Sequence, residues 1–372
     1  MVGGGVTPGF VTLPLVCGAG EESAPSTSST EVSSIVTIAA TARADNRIPD
    51  ALRSAGIRLP GRHERLRTAF VGQETYFLSS ALNQAAGGLE PRFFDFRADT
   101  DFSPVADELA DFRPHVIVVF RPEIVPAAAL VGCGALRIGF LTEPLPRRGP
   151  DGAESHPDLV RRLRYLKAID PANFDRIVSF DPLVAATASD AVPVFRSFPL
   201  PVADEFFLPV EPYEESPRPL FLGRSTEHRE LWLAEAKHHF DTLHIAHGIS
   251  GDELLELMAK PAVSINIHNE PYPTFEVRVP LCMAAGHLVV SEKLSPSHGL
   301  EPGSDHIEAL VPNELVAALS VLERDPNAFF DIRVFGRMKA EQFRASKVWP
   351  RLIDDTYLDV STFGIENRGP GR

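Results

Sequence analysis

The chain has 372 residues, of which 44% are hydrophobic and 23% charged, ordinary values for a protein that buries real cores. That length suits two α/β domains of roughly 150 residues each plus tails. A net charge of -14, from 50 acidic and 36 basic residues, argues against a nucleic-acid binder, which shows a basic face to phosphates. It leaves room for a local basic pocket.

The first 64 residues are expected to form a disordered or poorly ordered extension. Residues 18–34 are rich in Gly, Ser, Thr and Glu and lack periodicity. Cys17 followed by Gly18 and Ala19 has the outline of a lipoprotein cleavage site. No Lys or Arg precedes it, however, and Val16 is bulky where a small residue is wanted. The three cysteines, Cys17, Cys133 and Cys282, show neither zinc spacing nor a disulfide framework. No apolar run reaches the roughly 20 residues that span a bilayer. A cytoplasmic protein without a transmembrane segment is expected.

From residue 65 the pattern changes. Thr68-Ala-Phe-Val71 is a short apolar run ending in Gly72-Gln73-Glu74, and a helical pattern follows to about Ala86, closed by Gly87-Gly88. Residues 91–96 read as a strand and 104–112 as a helix. Strands follow at 115–120 and 136–141, a helix at 158–168, and a last strand at 176–180. Apolar strands alternating with amphipathic helices mean a doubly wound parallel sheet, placed at 65–200.

Seven prolines between Pro193 and Pro219 interrupt this pattern. Because proline lacks a ladder donor, 201–218 is expected to be an extended hinge. The alternation then restarts over 219–345, with strands at 219–222, 242–246, 262–267 and 287–291. Helices are expected at about 227–239, 251–259, 276–285 and 312–323. The last helices, 326–346 and 350–358, are expected to cross back onto the first lobe, with 346–372 as C-terminal helix and tail. The fold class is thus α/β, two Rossmann-like domains facing a cleft that takes ligands at the carboxyl ends of the strands.

Two segments carry the chemistry. Gly223-Arg224-Ser225 joins a strand to a helix, which makes it either a plain βα turn or an anion cradle of backbone N–H groups with a guanidinium beside it. In the second, Glu276 and Arg278 stand at a helix start, and Ala-Ala-Gly286 leads into a buried strand ending in Ser291-Glu292. Here Glu276 either favours the helix dipole or accepts hydrogen bonds from ribose or sugar hydroxyls, and Arg278 could neutralise a pyrophosphate. His238, His239, His244 and His247 lack the partners and spacing of a metal site and read as structural or surface histidines, although His247 follows a strand and faces the cleft. His268 also leaves a strand end.

These segments resemble the donor site of GT-B glycosyltransferases, especially the CgeB-like (spore-maturation-protein-type) bacterial group within the glycosyltransferase group 1-like families. The matching residues are Phe221-Leu-Gly-Arg224, Ile265-Asn266-Ile267-His268, Arg278, Gly286, Glu292 and His298-Gly299-Leu300-Glu301-Pro302-Gly303. The resemblance covers roughly 219–345 by motif and 67–200 by architecture. It implies transfer of a hexose-type sugar from a nucleoside-diphosphate sugar to an acceptor hydroxyl. It also implies that basic side chains and helix N-termini replace a metal, and that no cofactor is needed.

The implied donor-binding residues are Gly223, Arg224, Ser225, His247, Asn266, His268, Glu276, Arg278, Gly286, Glu292, Gly299, Leu300 and Gly303. Glu74 and Glu143, which follow first-lobe strands, are the candidate bases, and Arg121-Pro-Glu123 follows another such strand. The acceptor is a saccharide, a lipid-linked glycan or a small molecule. One departure stands out: many such enzymes carry a ribose-binding glutamate five residues before the turn glycine, where this chain has Leu281. A non-catalytic nucleotide-sugar-binding subunit is therefore one alternative, and a nucleotide-sugar epimerase on the same architecture is another. Glu276→Ala and Arg278→Ala are each expected to weaken nucleotide binding and spare the fold.

Overall fold

The computed structural model describes residues 47–149, 152–153 and 157–365. Cys17, the low-complexity stretch around it and the end of the expected C-terminal tail lie outside the described residues.

The first lobe begins with helix α1 (Arg47–Ser54), followed by strand β1 (Leu66–Gly72), the single-turn helix α2 (Glu74–Phe77) and β2 (Leu89–Asp95). Then come α3 (Ser103–Phe112), β3 (Val116–Phe120), β4 (Leu136–Leu141) and a small hairpin, β5 (Arg148–Gly149) and β6 (Gly152–Ala153). Helix α4 (Pro157–Tyr165), β7 (Arg176–Ser179), α5 (Ala185–Ala188) and β8 (Arg196–Ser197) complete it. The main sheet runs β2-β1-β3-β4-β7-β8 with every pairing parallel. Helices cover both faces, so a central strand such as β3 is apolar throughout and buried at all five positions. Pro91 is tolerated because β2 is an edge strand.

The second lobe repeats the plan. Its elements are β9 (Arg218–Leu222), α6 (Glu227–His239), β10 (Leu243–Ile245), α7 (Gly251–Met258), β11 (Ala262–Asn266) and α8 (Arg278–Ala284). They continue with β12 (Leu288–Ser291), β13 (Ile307–Glu308), α9 (Pro312–Arg324) and α10 (Phe330–Ala340). The strand order is β10-β9-β11-β12-β13, again all parallel. Phe221, Val263, Ile265 and Val290 bury one face under α6 and α9, and α7 and α8 cover the other.

Two chain crossings join the lobes, and they are bonded to each other. Val202 N donates to the Phe343 carbonyl and Ala345 N to the Val202 carbonyl, both at 2.8 Å. After the second crossing α11 (Ala345–Phe363) returns to the first lobe. Its fully buried Trp349 lies 5.0, 5.9 and 5.8 Å from the rings of Phe70, Phe120 and Phe140, and its indole N–H donates to the Ser80 carbonyl at 3.0 Å. The expected return of the C-terminal helices is thus present.

Three local expectations differ. The helix expected through Ala86 gives way to a short 3-10 turn that ends at Ser80, because tertiary donors take its carbonyls. Ala203 N bonds the Ser79 carbonyl and Trp349 the Ser80 carbonyl. The break between the last helices falls at 341–344 and not before Pro350, which sits inside α11. There the Asp204 carboxylate accepts from Ser346 N at 3.0 Å and Ser346 Oγ at 2.6 Å, fixing an anion at the helix start. Finally, α1 lies within the expected N-terminal extension, yet Leu52 and Ile57 are buried in the first-lobe core, so ordered structure starts upstream of residue 65. Among the described residues no helix is long and apolar enough to cross a membrane.

Candidate functional site

In a doubly wound sheet the crevice opens where the strand order reverses. These points are β1/β3 in the first lobe and β9/β11 in the second. The loops after these strands line one cleft of about 540 Å³ between the lobes.

On the second-lobe side, Gly223 ends β9 with φ +150°. A Cβ there would stand 2.7 Å from Arg278 Nη1 and 3.1 Å from Arg229 Nη1, so glycine is what lets two guanidinium groups close on the turn. Arg278 is 8% exposed, and its donors are spent on the protein. Nε donates to Asn266 Oδ1 at 2.6 Å, Nη1 to the Leu222 carbonyl, and Nη2 to the Ile267 carbonyl at 3.0 Å and to Glu276. Arg229, 3% exposed, donates to the carbonyls of Ile267 and Arg224, each at 3.1 Å. It also donates to Asn269 Oδ1 at 3.3 Å and to Glu276 at 3.2 Å. Both guanidinium groups lie 5.3 Å from the buried Phe221 ring.

The electrostatics follow from this crowding. Burial, with Arg278 next in weight, draws Arg229 down to about 10. Burial pushes the Glu276 carboxyl up, but Arg278, Arg229 and His268 together outweigh it and hold the group below its ordinary value. Arg224 is exposed and bonds through Nε to Asn269 at 2.9 Å. Among the described residues the amides of Arg224 and Ser225 have no hydrogen-bond partner. Three guanidinium groups thus lie around the clamped Glu276, with Glu270 also acting on Arg229, beside free N–H groups just ahead of α6. An anion is the natural complement.

The structure therefore brings Gly223, Arg224, His247 and Glu276 to the cleft wall, with Arg278 directly behind. Ser225 adjoins the turn and bonds Glu230. Asn266, His268 and Glu292 form a supporting layer. Asn266 bonds Ser291 and Arg278, Glu292 accepts from His268 N at 2.7 Å and contacts His228 at 2.9 Å, and burial keeps the His268 imidazole below its ordinary pKa. Gly286 precedes β12, at the opposite end of the sheet, against Pro209 and Val210. Leu300 is a core residue, while Gly299 and Gly303 serve turns that do not line the cleft. Leu281 is buried in the second-lobe core.

Across the cleft, Glu143 contacts Arg162 at 3.4 Å and Arg121 at 3.8 Å. Arg121 adopts φ +62° and bonds Glu123 at 2.9 Å, and burial raises the Glu123 carboxyl despite this partner. Arg162 reaches the second lobe through Glu270 at 3.1 Å. Glu74 is exposed at the start of α2 and does not line the cleft. The sequence reading did not single out Arg229, Arg162, Tyr76 or Tyr165. The spacing of Arg229, six residues past the turn glycine on the first turn of α6, is the signal that could have found it. Among the described residues no group of three or more His, Cys, Asp or Glu side chains is placed to hold a metal ion.

No family model matches the chain, and no curated protein does. Solved structures do. The Anabaena protein Alr3699/HepE, in complex with UDP and glucose, is similar at a TM-score of 0.50 and 10% identity, over 79% of this chain and 100% of that one. AviGT4, a glycosyltransferase involved in avilamycin A biosynthesis, is similar at 0.48 and 13%, over 80% and 98%. Sucrose-phosphate synthase from Thermosynechococcus elongatus gives 0.46 and 12%, over 87% and 94%. Likeness at such identities defines a fold class and nothing narrower. With two doubly wound lobes, a cleft between them and a C-terminal helix crossing back, that class is GT-B.

Proposed function

We propose that this chain is a metal-independent glycosyltransferase that moves a hexose-type sugar from a nucleoside-diphosphate sugar to an acceptor hydroxyl. The observation that carries the reading is the convergence of Arg224, Arg229 and Arg278 on the β9/β11 switch point, beside unpartnered amides. The Anabaena protein of similar fold binds UDP and glucose, which points the same way.

On this reading the exposed Arg224 and the Arg224 and Ser225 amides hold the diphosphate. Arg229 and Arg278 keep Glu276 ionised and aimed into the cleft, where it accepts from ribose or sugar hydroxyls, and His247 lines the donor's other side. The acceptor oxygen bonds the anomeric carbon as the bond to the diphosphate breaks. The leaving electron pair goes to the diphosphate, whose growing charge the cation cluster stabilises. Glu143 takes the acceptor proton; Glu74 has no place at the cleft from which to do so. The CgeB-like subtype rests on Arg278 and Gly286 at their family spacing, and a cytoplasmic location on the wide spacing of the cysteines, of which Cys133 and Cys282 are free.

The buried Leu281 favours a second reading, a binding subunit without turnover, because the usual ribose glutamate has no counterpart there. A thermal-shift panel of UDP, dTDP, GDP, ADP and CDP, with and without magnesium, tests the donor site. A ligand at 100 times its Kd stabilises by about 2.7 kcal/mol. A selective, magnesium-independent shift is expected. No shift with any nucleotide refutes the donor site, and a shift without turnover of the matching nucleotide sugar leaves the binding subunit.

A further inference from the structure

We infer that the first-lobe wall of the cleft is an acceptor subsite built for a pyranose ring, so that the acceptor is a saccharide and not a lipid chain. The inference rests on the glycosyl-transfer reading, but its evidence lies on the opposite wall from the donor cluster.

Two tyrosines on separate elements project into the same cleft. Tyr76 on α2 is 48% exposed and Tyr165 on α4 is 53% exposed. A single exposed aromatic needs no explanation, but two lining one cleft offer flat apolar faces whose phenol edges stay wet. Such faces suit the C–H surface of a sugar ring. The same wall carries Thr142 and Arg162. Thr142 Oγ1 and Arg162 Nη1 are buried without a hydrogen-bond partner, although Nε and Nη2 of the same guanidinium are engaged by Glu143 and Glu270. Buried polar atoms are normally paired, so these two call for oxygen atoms from outside the protein.

The charges on this wall bear on the ligand. Arg121 pairs with Glu123, and Arg162 with Glu143 and, from the second lobe, Glu270. An acyl chain would want no charges. A wall that alternates donors with acceptors matches hydroxyl groups, which do both.

The test is saturation-transfer NMR on the full chain, with and without UDP, using methyl β-D-glucopyranoside, cellobiose and maltose, with glycerol and octanoate as comparison probes. Transfer is expected to the ring protons of the pyranosides and not to glycerol or octanoate. Tyr76→Ala/Tyr165→Ala should weaken pyranoside binding about tenfold. Because both tyrosines are exposed, melting temperature and the UDP-induced shift should stay at wild-type values. Octanoate binding with silent pyranosides, or equal pyranoside binding in the double variant, overturns the inference. If UDP stabilises the protein while every pyranoside is silent, this inference falls and the donor reading stands. If pyranosides bind and no nucleotide does, the donor reading falls and the ring site stands.

Discussion

Replacing Arg278 with alanine removes a side chain that ties three segments together: the end of β9 through Leu222, the end of β11 through Asn266 and Ile267, and Glu276 before α8. The variant takes a donor from the Leu222 carbonyl and from Asn266 Oδ1, at about 1–3 kcal/mol for each that becomes unsatisfied, while the Ile267 carbonyl keeps Arg229. It also strips Glu276 of one of two cationic partners, which costs less than the roughly 3–5 kcal/mol of an uncompensated buried charge, because Arg229 stays and the carboxylate is partly exposed. These contributions overlap, so a loss of about 3–5 kcal/mol is expected, a large part of the roughly 5–15 kcal/mol that holds a typical domain folded. The geometry thus replaces the expectation that Arg278→Ala spares the fold. The chain has two tryptophans, Trp232 in the second lobe and Trp349 against the first. Urea unfolding followed by Trp232 fluorescence, with Trp349→Phe in both reference and variant, reads the affected lobe alone. Gly223→Ala should act in the same direction, since its Cβ would push Arg278 Nη1 off the Leu222 carbonyl. An Arg278→Ala variant within about 1 kcal/mol of the reference refutes the structural role assigned here.

Trp349→Ala empties the space between Phe70, Phe120 and Phe140 and leaves the Ser80 carbonyl unpaired, and should cost about 3–5 kcal/mol. A melting temperature lowered by less than about 6 °C would contradict that packing. Asp354 is held protonated up to about 6, by burial and then by Asp355. The unfolded carboxyl ionises near 3.9, so the folded state binds the extra proton between these values, and this contribution to stability is lost as pH rises through about 6. Asp354→Asn should therefore raise the melting temperature at pH 7.5 and leave it unchanged at pH 3.5, and equal effects at both would refute the assignment.

What could be read from the chain without coordinates followed from how strongly each segment constrains itself. The five apolar residues of β3 have no alternative to a doubly covered strand, and Gly223 between a strand and a helix marks its own turn. Arg229 is different. In Glu-His-Arg-Glu-Leu-Trp it looks like one more solvated charge on an amphipathic helix, and only the closeness of the β11 end, which is tertiary, turns it inward. The helix after Glu74 failed for the same reason, its carbonyls being claimed by residues 203 and 349, more than a hundred positions away. Pro350 also misled, since it sits inside α11, where the packing of Trp349 among Phe70, Phe120 and Phe140 outweighs the local preference against helix. Glu74 and Glu143 looked alike as carboxylates after strands, and only the path of each loop separates the one lining the cleft from the one on the surface.

The return of α11 has a consequence for how the protein is made. The first lobe's sheet leaves the ribosome early, but the aromatic cluster of Phe70, Phe120 and Phe140, with only Phe77 stacked on it, lacks Trp349 and the rest of α11 until residues 345–360 are translated. The second lobe, complete by residue 340, can finish folding while the first still exposes that surface. The lobe begun first is closed last. A nascent chain stalled near residue 340 would thus offer a chaperone one finished lobe and one open sheet.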